Sequence, residues 1–381
     1  MSMDHPRVLV VKYNALGDVL NITPALRYLA NALPGATIDV FVGRWAEPAI
    51  RHNPHVRRVI IVENEWFSRF PIRHGMELFR LFRTLKLERY DAVIAFQRSH
   101  ALKEFVRLLG IPARAMFASR HPREDELVLD ESRHVIENNI LLARKLLRTL
   151  GCAEESLQAV EAASGLNMEW EVTPEEAAEA AGLPSLAAVN PQETLIACFP
   201  GGGSNPMNDE ASVRQWGVEK FDVLLHRLSE LEGVQVLLMG GHADREIGGR
   251  LSRGRTTKII NMTGEVPVRI SAAVLRRCDL VICNDSGPMH IAGAVGVPVV
   301  AVFGPTGPRE KLPPSSHSFA IRSNISCSPC YYSVYKGCPY PQRECLARID
   351  VDSVLQLVQR ALGQPNTAPA YSLDASTIVT V

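Results

Sequence analysis

The feature that most constrains this chain is the alternation, in both halves, of short, mainly apolar runs with helical patterns. In the first half residues 8–12, 38–42, 59–62 and 92–96 read as strands, and a helix over 19–33 is ended by Pro34-Gly35. In the second half strands are expected at 195–199, 234–239, 259–262, 280–283 and 299–303, and helices at 221–231, 269–277 and 289–295. Val/Ile runs without polar alternation belong to strands covered on both faces, and regular strand–helix alternation yields parallel sheets. The expected fold is α/β, with two doubly wound domains around a cleft. Ligands of such sheets bind beyond the carboxyl ends of the strands.

At 381 residues the chain is long enough for two such domains. Lys plus Arg and Asp plus Glu both number 41, which excludes a globally basic nucleic-acid binder and an acidic disordered chain. Position matters more than the total. Residues 44–123 hold 16 Lys/Arg against 7 Asp/Glu, whereas 152–193 hold 9 Asp/Glu and no base. That shift, punctuated by Pro174, Pro184 and Pro191, marks a domain boundary. The expected division is an N-terminal domain at 1–172, an acidic linker at 173–193, a C-terminal domain at 194–362 and a tail at 363–381. No apolar run approaches the ~20 residues of a membrane span. Residues 1–7 carry no signal-peptide pattern. A cytoplasmic monomer is the expectation.

Three loops carry candidate chemistry. Tyr13-Asn14-Ala15-Leu16-Gly17-Asp18 follows the first strand, with Gly17 supplying backbone freedom. Asp18 is either a first-turn helix acid or a carboxylate able to take a proton from a hydroxyl. The segment 279–308 ends a strand at Cys283, turns through Asn284-Asp285-Ser286-Gly287-Pro288 and opens a helix near Met289. A helix start of this kind suits a diphosphate, with Asp285 or Ser286 as cap and His290 placed to donate to a phosphate oxygen. Pro200-Gly201-Gly202-Gly203 follows another strand and either cradles phosphate or is a plain turn. It is not a P-loop, since no Gly-Lys-Ser/Thr follows. The absence of Gly-x-Gly-x-x-Gly after the first strand argues against a nicotinamide dehydrogenase. Arg214, in Arg214-Gln215-Trp216, is a candidate cation for a pyrophosphate.

Four of the eight cysteines crowd together as Cys327, Cys330, Cys338 and Cys345, a candidate structural zinc set whose spacing matches no common template. The others, Cys152, Cys198, Cys278 and Cys283, read as small core residues. Residues 65–90 interleave Trp66, Phe67, Phe70 and Phe82 with Arg69, Arg73, Arg80, Arg83 and Lys86. Leu78, Leu81, Phe82 and Leu85 have core spacing, and the bases suit an anionic glycolipid or an inner-leaflet surface.

The strings VLVVKYNALGDVLNITPAL, PGGG with a later basic-x-Trp, and NDSGPMHIAGAVGVPVVAVFGPTGP resemble glycosyltransferase family 9, the ADP-heptose:lipopolysaccharide heptosyltransferases, over roughly positions 7–362. The resemblance implies a GT-B fold: two Rossmann-like domains whose parallel sheets face a central cleft, with the C-terminal half binding the nucleotide sugar. It implies inverting transfer of a heptose from an ADP-sugar to a lipopolysaccharide core, with no metal or other cofactor needed for catalysis and no nucleic-acid partner. Asp18 aligns with the family's base. Asp285, Ser286, Gly287 and His290 fall on the diphosphate motif, and Gly201 and Gly202 on the glycine turn. Arg214 stands where a lysine is frequent, Asp244 where a nucleoside-contacting glutamate is usual, and Met262 and Gly264 on the base-pocket strand. Residues 205–212 look like an insertion. Membrane contact is expected to be peripheral, on the inner face of the cytoplasmic membrane. Two other readings use the same residues: a nucleotide-sugar epimerase, and a non-catalytic nucleotide or glycan binder.

Overall fold

The computed structural model describes residues 5–63, 74–118, 122–202, 213–255, 258–314, 317–330, 338, 340, 342–363 and 378–381. They form two compact units, Met1–Glu171 and Val172–Val381, and each is built on one all-parallel sheet.

The first unit is built on a six-stranded sheet of β1 (Arg7–Val11), β2 (Thr37–Gly43), β3 (Arg58–Val62), β4 (Ala92–Ala95), β5 (Ala113–Phe117) and β6 (Glu126–Leu127). The order is β3-β2-β1-β4-β5-β6 and every pairing is parallel. Val8 to Val11 are at most 2% exposed, as two covered faces require. The chain runs outward from β1 to β3 and then crosses back to β4, so its winding reverses between β1 and β4.

Strands β5 and β6 carry charges that hide them in the sequence. In the structure those charges are paired. Arg114 bonds Asp125, and buried Glu126 accepts from Lys103 Nζ and Arg107, both at 2.8 Å. The expected helix over 19–33 is two helices, Leu16–Leu20 and Thr23–Ala32. The cause is Pro24, whose missing N–H leaves the Leu20 carbonyl without its helical donor. Thr23 Oγ1 donates to that carbonyl instead, at 2.8 Å.

The second unit holds β7 (Thr194–Phe199), β8 (Val234–Leu238), β9 (Ile259–Asn261), β10 (Leu280–Asn284), β11 (Val299–Phe303), β12 (Phe319–Arg322) and β13 (Ile378–Thr380). They lie in the order β13-β12-β11-β10-β7-β8-β9, all parallel. Here the winding reverses between β7 and β10, where a ligand crevice is expected in an open α/β sheet.

Within 173–193, expected as a linker, Pro174–Ala181 is a helix. Thr173 and Glu176 exchange capping bonds, and Arg269 clasps both Glu176 oxygens at 2.6 and 2.7 Å. Of the expected tail, Ile378–Thr380 is an edge strand paired with Ala320–Arg322, while 364–377 lie outside the described residues. Among the described residues no helix is long and apolar enough to cross a membrane.

Candidate active site

In the first unit the chain leaves β1 at Lys12 and enters the helix Leu16–Leu20, which places Asp18 in the first turn. Asp18 Oδ2 accepts from Lys12 Nζ at 3.2 Å and from the Ala15 N–H at 3.4 Å. The side chain of Lys12 is 11% exposed and that of Asp18 39%, so the carboxylate is the part open to solvent. Lys12 Nζ also reaches Gln97 Oε1 at 3.4 Å, and Gln97 Nε2 donates to Asn14 Oδ1 at 3.3 Å. The two strand ends at the reversal are thus tied through Lys12 and Gln97. Asp18 supports the helix start through its bond from the Ala15 N–H. Gly17 lies buried within that helix and is not among the glycines with positive φ, so the freedom read from the sequence is not used.

In the second unit the ends of β7 and β10 are joined by Asn284, which is fully buried. Its Nδ2 donates to the carbonyls of Pro200 and Gly201 at 3.1 and 2.9 Å, and its Oδ1 accepts from the Trp216 N–H at 3.0 Å. Trp216 Nε1 donates to the Ile349 carbonyl at 3.0 Å, and Lys220 lies 5.6 Å from the centre of its ring. The basic-x-Trp motif is therefore an anchor. The tryptophan is locked in the core, and Arg214 hangs two residues before it.

Arg214 NH1 stands 3.8 Å from Asp285 Oδ2, too far for a hydrogen bond, and its Nε is buried without a partner among the described residues. Asp285 Oδ2 is already engaged by Thr306 Oγ1 at 2.7 Å. The guanidinium thus keeps an unspent donor, Nε, beside the start of the helix Gly287–Ala294, where the positive end of the dipole lies. Ser286 is the N-cap residue, although its hydroxyl donates to the Asn284 carbonyl at 3.2 Å instead of capping the helix. His290 sits in the first turns and is 7% exposed.

Asp244 ends a short 3₁₀ turn, His242–Asp244, after β8. Its Oδ2 accepts from the Gly241 N–H at 2.8 Å. Burial pushes its carboxyl above the usual carboxylate range, and the Gly241 bond pulls the other way. Its carboxylate rests against Gly201, where an added Cβ would sit 2.1 Å from Oδ1. The glycine turn after β7 and the acid after β8 are therefore one construction. Gly264 has φ +69, donates to the Gly240 carbonyl at 2.9 Å and accepts from Arg245 NH2 at 2.8 Å. Met262 is fully buried, and its N–H donates to the Leu238 carbonyl at 2.8 Å. Gly202 is described and buried; Gly203 and the 205–212 segment lie outside the described residues.

Among the described residues no group of three or more His, Cys, Asp or Glu is placed to hold a metal ion. The thiols of Cys327, Cys330, Cys338 and Cys345 are all free. Burial, then the neighbouring cysteines, pushes the Cys330 thiol up and that of Cys345 to about 11. Cys198, Cys278 and Cys283 are buried as expected, but Cys152 is only half-buried.

The sequence reading missed Lys12, Gln97, Asn284 and Thr306. A lysine closing a buried strand and an asparagine ending another are signals that each strand end has a partner waiting.

The profile of glycosyltransferase family 9 (heptosyltransferase) matches residues 78–340. Lipopolysaccharide heptosyltransferase 2 of Escherichia coli K12 is 27% identical over 346 residues, covering 87% of this chain and 91% of that protein. A family 9 glycosyltransferase structure from Veillonella parvula superposes with a TM-score of 0.75 at 23% identity, covering 95% of this chain and 98% of the other. The Escherichia coli ADP-heptose LPS heptosyltransferase II structure gives 0.70 at 24% identity, over 93% and 98%. This chain belongs to glycosyltransferase family 9 and is a glycosyltransferase.

Proposed function

We propose that the enzyme moves a heptose, or a related sugar, from an ADP-sugar to a lipopolysaccharide core or similar glycan acceptor. Transfer inverts the anomeric carbon and needs no metal ion or other cofactor. The observation that carries this reading is Arg214, an anchored guanidinium whose buried Nε has no partner among the described residues, next to the opening of the Gly287–Ala294 helix. A nucleoside diphosphate leaving group develops charge on its oxygens, and fixed positive groups stabilise that charge as it forms. Arg214, the helix dipole and His290 supply the positive field that a divalent cation supplies elsewhere. Asp244, with Gly264 and the buried Met262, is assigned to the nucleoside. Asp285, Ser286, Gly287, Gly201 and Gly202 shape the diphosphate turn.

Asp18 takes the acceptor's proton as the hydroxyl oxygen bonds to C1 and the C1–diphosphate bond breaks. Lys12 and Gln97 hold the carboxylate in place. The donor named for the Escherichia coli relative is ADP-heptose, and it is carried to this chain as part of the proposal. The reading places the enzyme in the cytoplasm, as a monomer in peripheral contact with the inner membrane face, where a glycolipid acceptor is presented.

Calorimetric titration with ADP, GDP and UDP, each with and without Mg²⁺, tests the donor assignment. Metal-independent binding of ADP in preference to the others is the expected result. Preference for GDP or UDP would discard the heptose donor, and binding of none would discard the transferase site. Donor turnover without acceptor would point to an epimerase.

A further inference from the structure

The helix Gly75–Leu87 has an inner face and an outer face of unusual composition. Leu85 is buried, and Leu81 and Phe82 pack against the core of the first unit. On the outside Met76, Phe79 and Leu87 are 71%, 61% and 75% exposed. Arg80, Arg83 and Lys86 are exposed among them. At ~100° per residue the six outer residues fall within an arc of about 120°. The helix's acid Glu77 and the flanking Glu88 lie off that arc, and Glu88 is spent on Arg7 and Arg58. Arg89 adds another exposed base just beyond the helix.

We propose that this face docks on an anionic bilayer surface, with the three apolar side chains entering the headgroup–acyl boundary and the bases against lipid phosphates. Three observations favour a bilayer over a protein partner. The arc is cationic without an exposed acid, complementary to anionic lipid. The exposed apolar residues share one helix face with the bases, the arrangement of an interfacial amphipathic helix. A second copy would set Arg80 and Arg83 against themselves across a two-fold axis, with like charges opposed. The inference deepens the reading of a membrane-borne acceptor and takes its biological sense from it, although the face itself is independent of which sugar is moved.

The test uses full-length protein and vesicles of phosphatidylcholine, with and without phosphatidylglycerol, carrying no acceptor glycolipid. Each base at an anionic surface strengthens partitioning about fivefold. The double variant R80Q/R83Q is therefore expected to bind anionic vesicles about 25-fold more weakly, and wild-type binding should fall as salt is raised. The variant M76S/F79S should lose binding while keeping the salt dependence of what remains. ADP titration of the same preparations should be unchanged. Equal wild-type binding to neutral and anionic vesicles would overturn the proposal, as would wild-type binding by both variants. Concentration-dependent self-association abolished by the same substitutions, without vesicle binding, would assign the face to a second copy. Loss of ADP affinity with vesicle binding intact would count against the proposed function alone.

Discussion

Replacing Gly201 by alanine tests the link between the glycine turn and Asp244. The new Cβ would stand 2.1 Å from Asp244 Oδ1, 2.7 Å from Cγ and 3.1 Å from Oδ2, where ordinary contacts begin near 3.4 Å. The carboxylate must therefore withdraw by more than 1 Å. That displacement is expected to break the bond from the Gly241 N–H. That bond is worth about 1 kcal/mol, so Tm should fall by about 2–4 °C. The effect on the ligand should be larger. Losing a hydrogen bond between a charged carboxylate and the nucleoside costs about 1.5–3 kcal/mol, or about 10- to 150-fold in the Kd for ADP. Titration calorimetry of wild type, G201A, D244A and the double variant forms a cycle in which G201A adds nothing once Asp244 is gone. A folded G201A with wild-type ADP affinity would refute the reasoning, as would additive losses in the double variant.

Other perturbations address other parts of the structure. D18N should abolish sugar transfer and leave ADP affinity within about twofold, because the isostere keeps the helix-start contacts but not the base; steady-state turnover and calorimetry read the two separately. Burial raises the Glu126 carboxyl, but Lys103, Arg107 and the Arg123 N–H outweigh it and hold it at about 2, below its ordinary 4.5. The resulting stability, about 3 kcal/mol, is present above pH 4.5 and is lost as pH falls toward 2. E126Q should lower the denaturation midpoint at neutral pH and flatten that acid dependence. Asp39 is fully buried and accepts from Arg57, Arg58 and Tyr90; D39A should cost about 3 kcal/mol in chemical denaturation by stranding those donors. G264A places a side chain at φ +69 and 2.6 Å from Arg245 Nε, and should cost about 1–2 kcal/mol in the same assay.

Much of the sheet architecture was legible because its buried strands are nearly pure Val, Ile, Leu and Ala. β1, β7, β10 and β11 announce themselves as apolar runs, and β2 and β8 do so despite one interior polar residue each, Asp39 and Gln235. β5 and β6 did not, because Arg114 and Glu126 look incompatible with a sheet until Asp125, Lys103 and Arg107 are brought beside them by folding. β13 was hidden for another reason: its three residues become a strand only on meeting the edge of β12. The helix at Pro174–Ala181 had a local signal, Thr173-x-x-Glu176, which the acidic composition masked.

For the candidate site, Asp18 and the Asp285-to-His290 turn stood out because a polar residue directly after a buried strand has few structural reasons to be there. The partners that fix those residues were not legible. Lys12 meets Gln97 across 85 positions, and Asn284 meets Gly201 across 83. Such pairings follow from strand order, which no local pattern records. The packing of Asp244 against Gly201 is of the same kind, since it needs β7 and β8 side by side.

The central claim is inverting, metal-independent transfer from an ADP-sugar. It is tested most directly by following ADP-heptose and a truncated core acceptor by NMR, in the presence of EDTA, with wild type and D18N. The account predicts a product whose anomeric configuration is opposite to that of the donor, formed at full rate by wild type without divalent cations and not by D18N. A product of retained configuration, a strict requirement for metal, or undiminished transfer by D18N would contradict it.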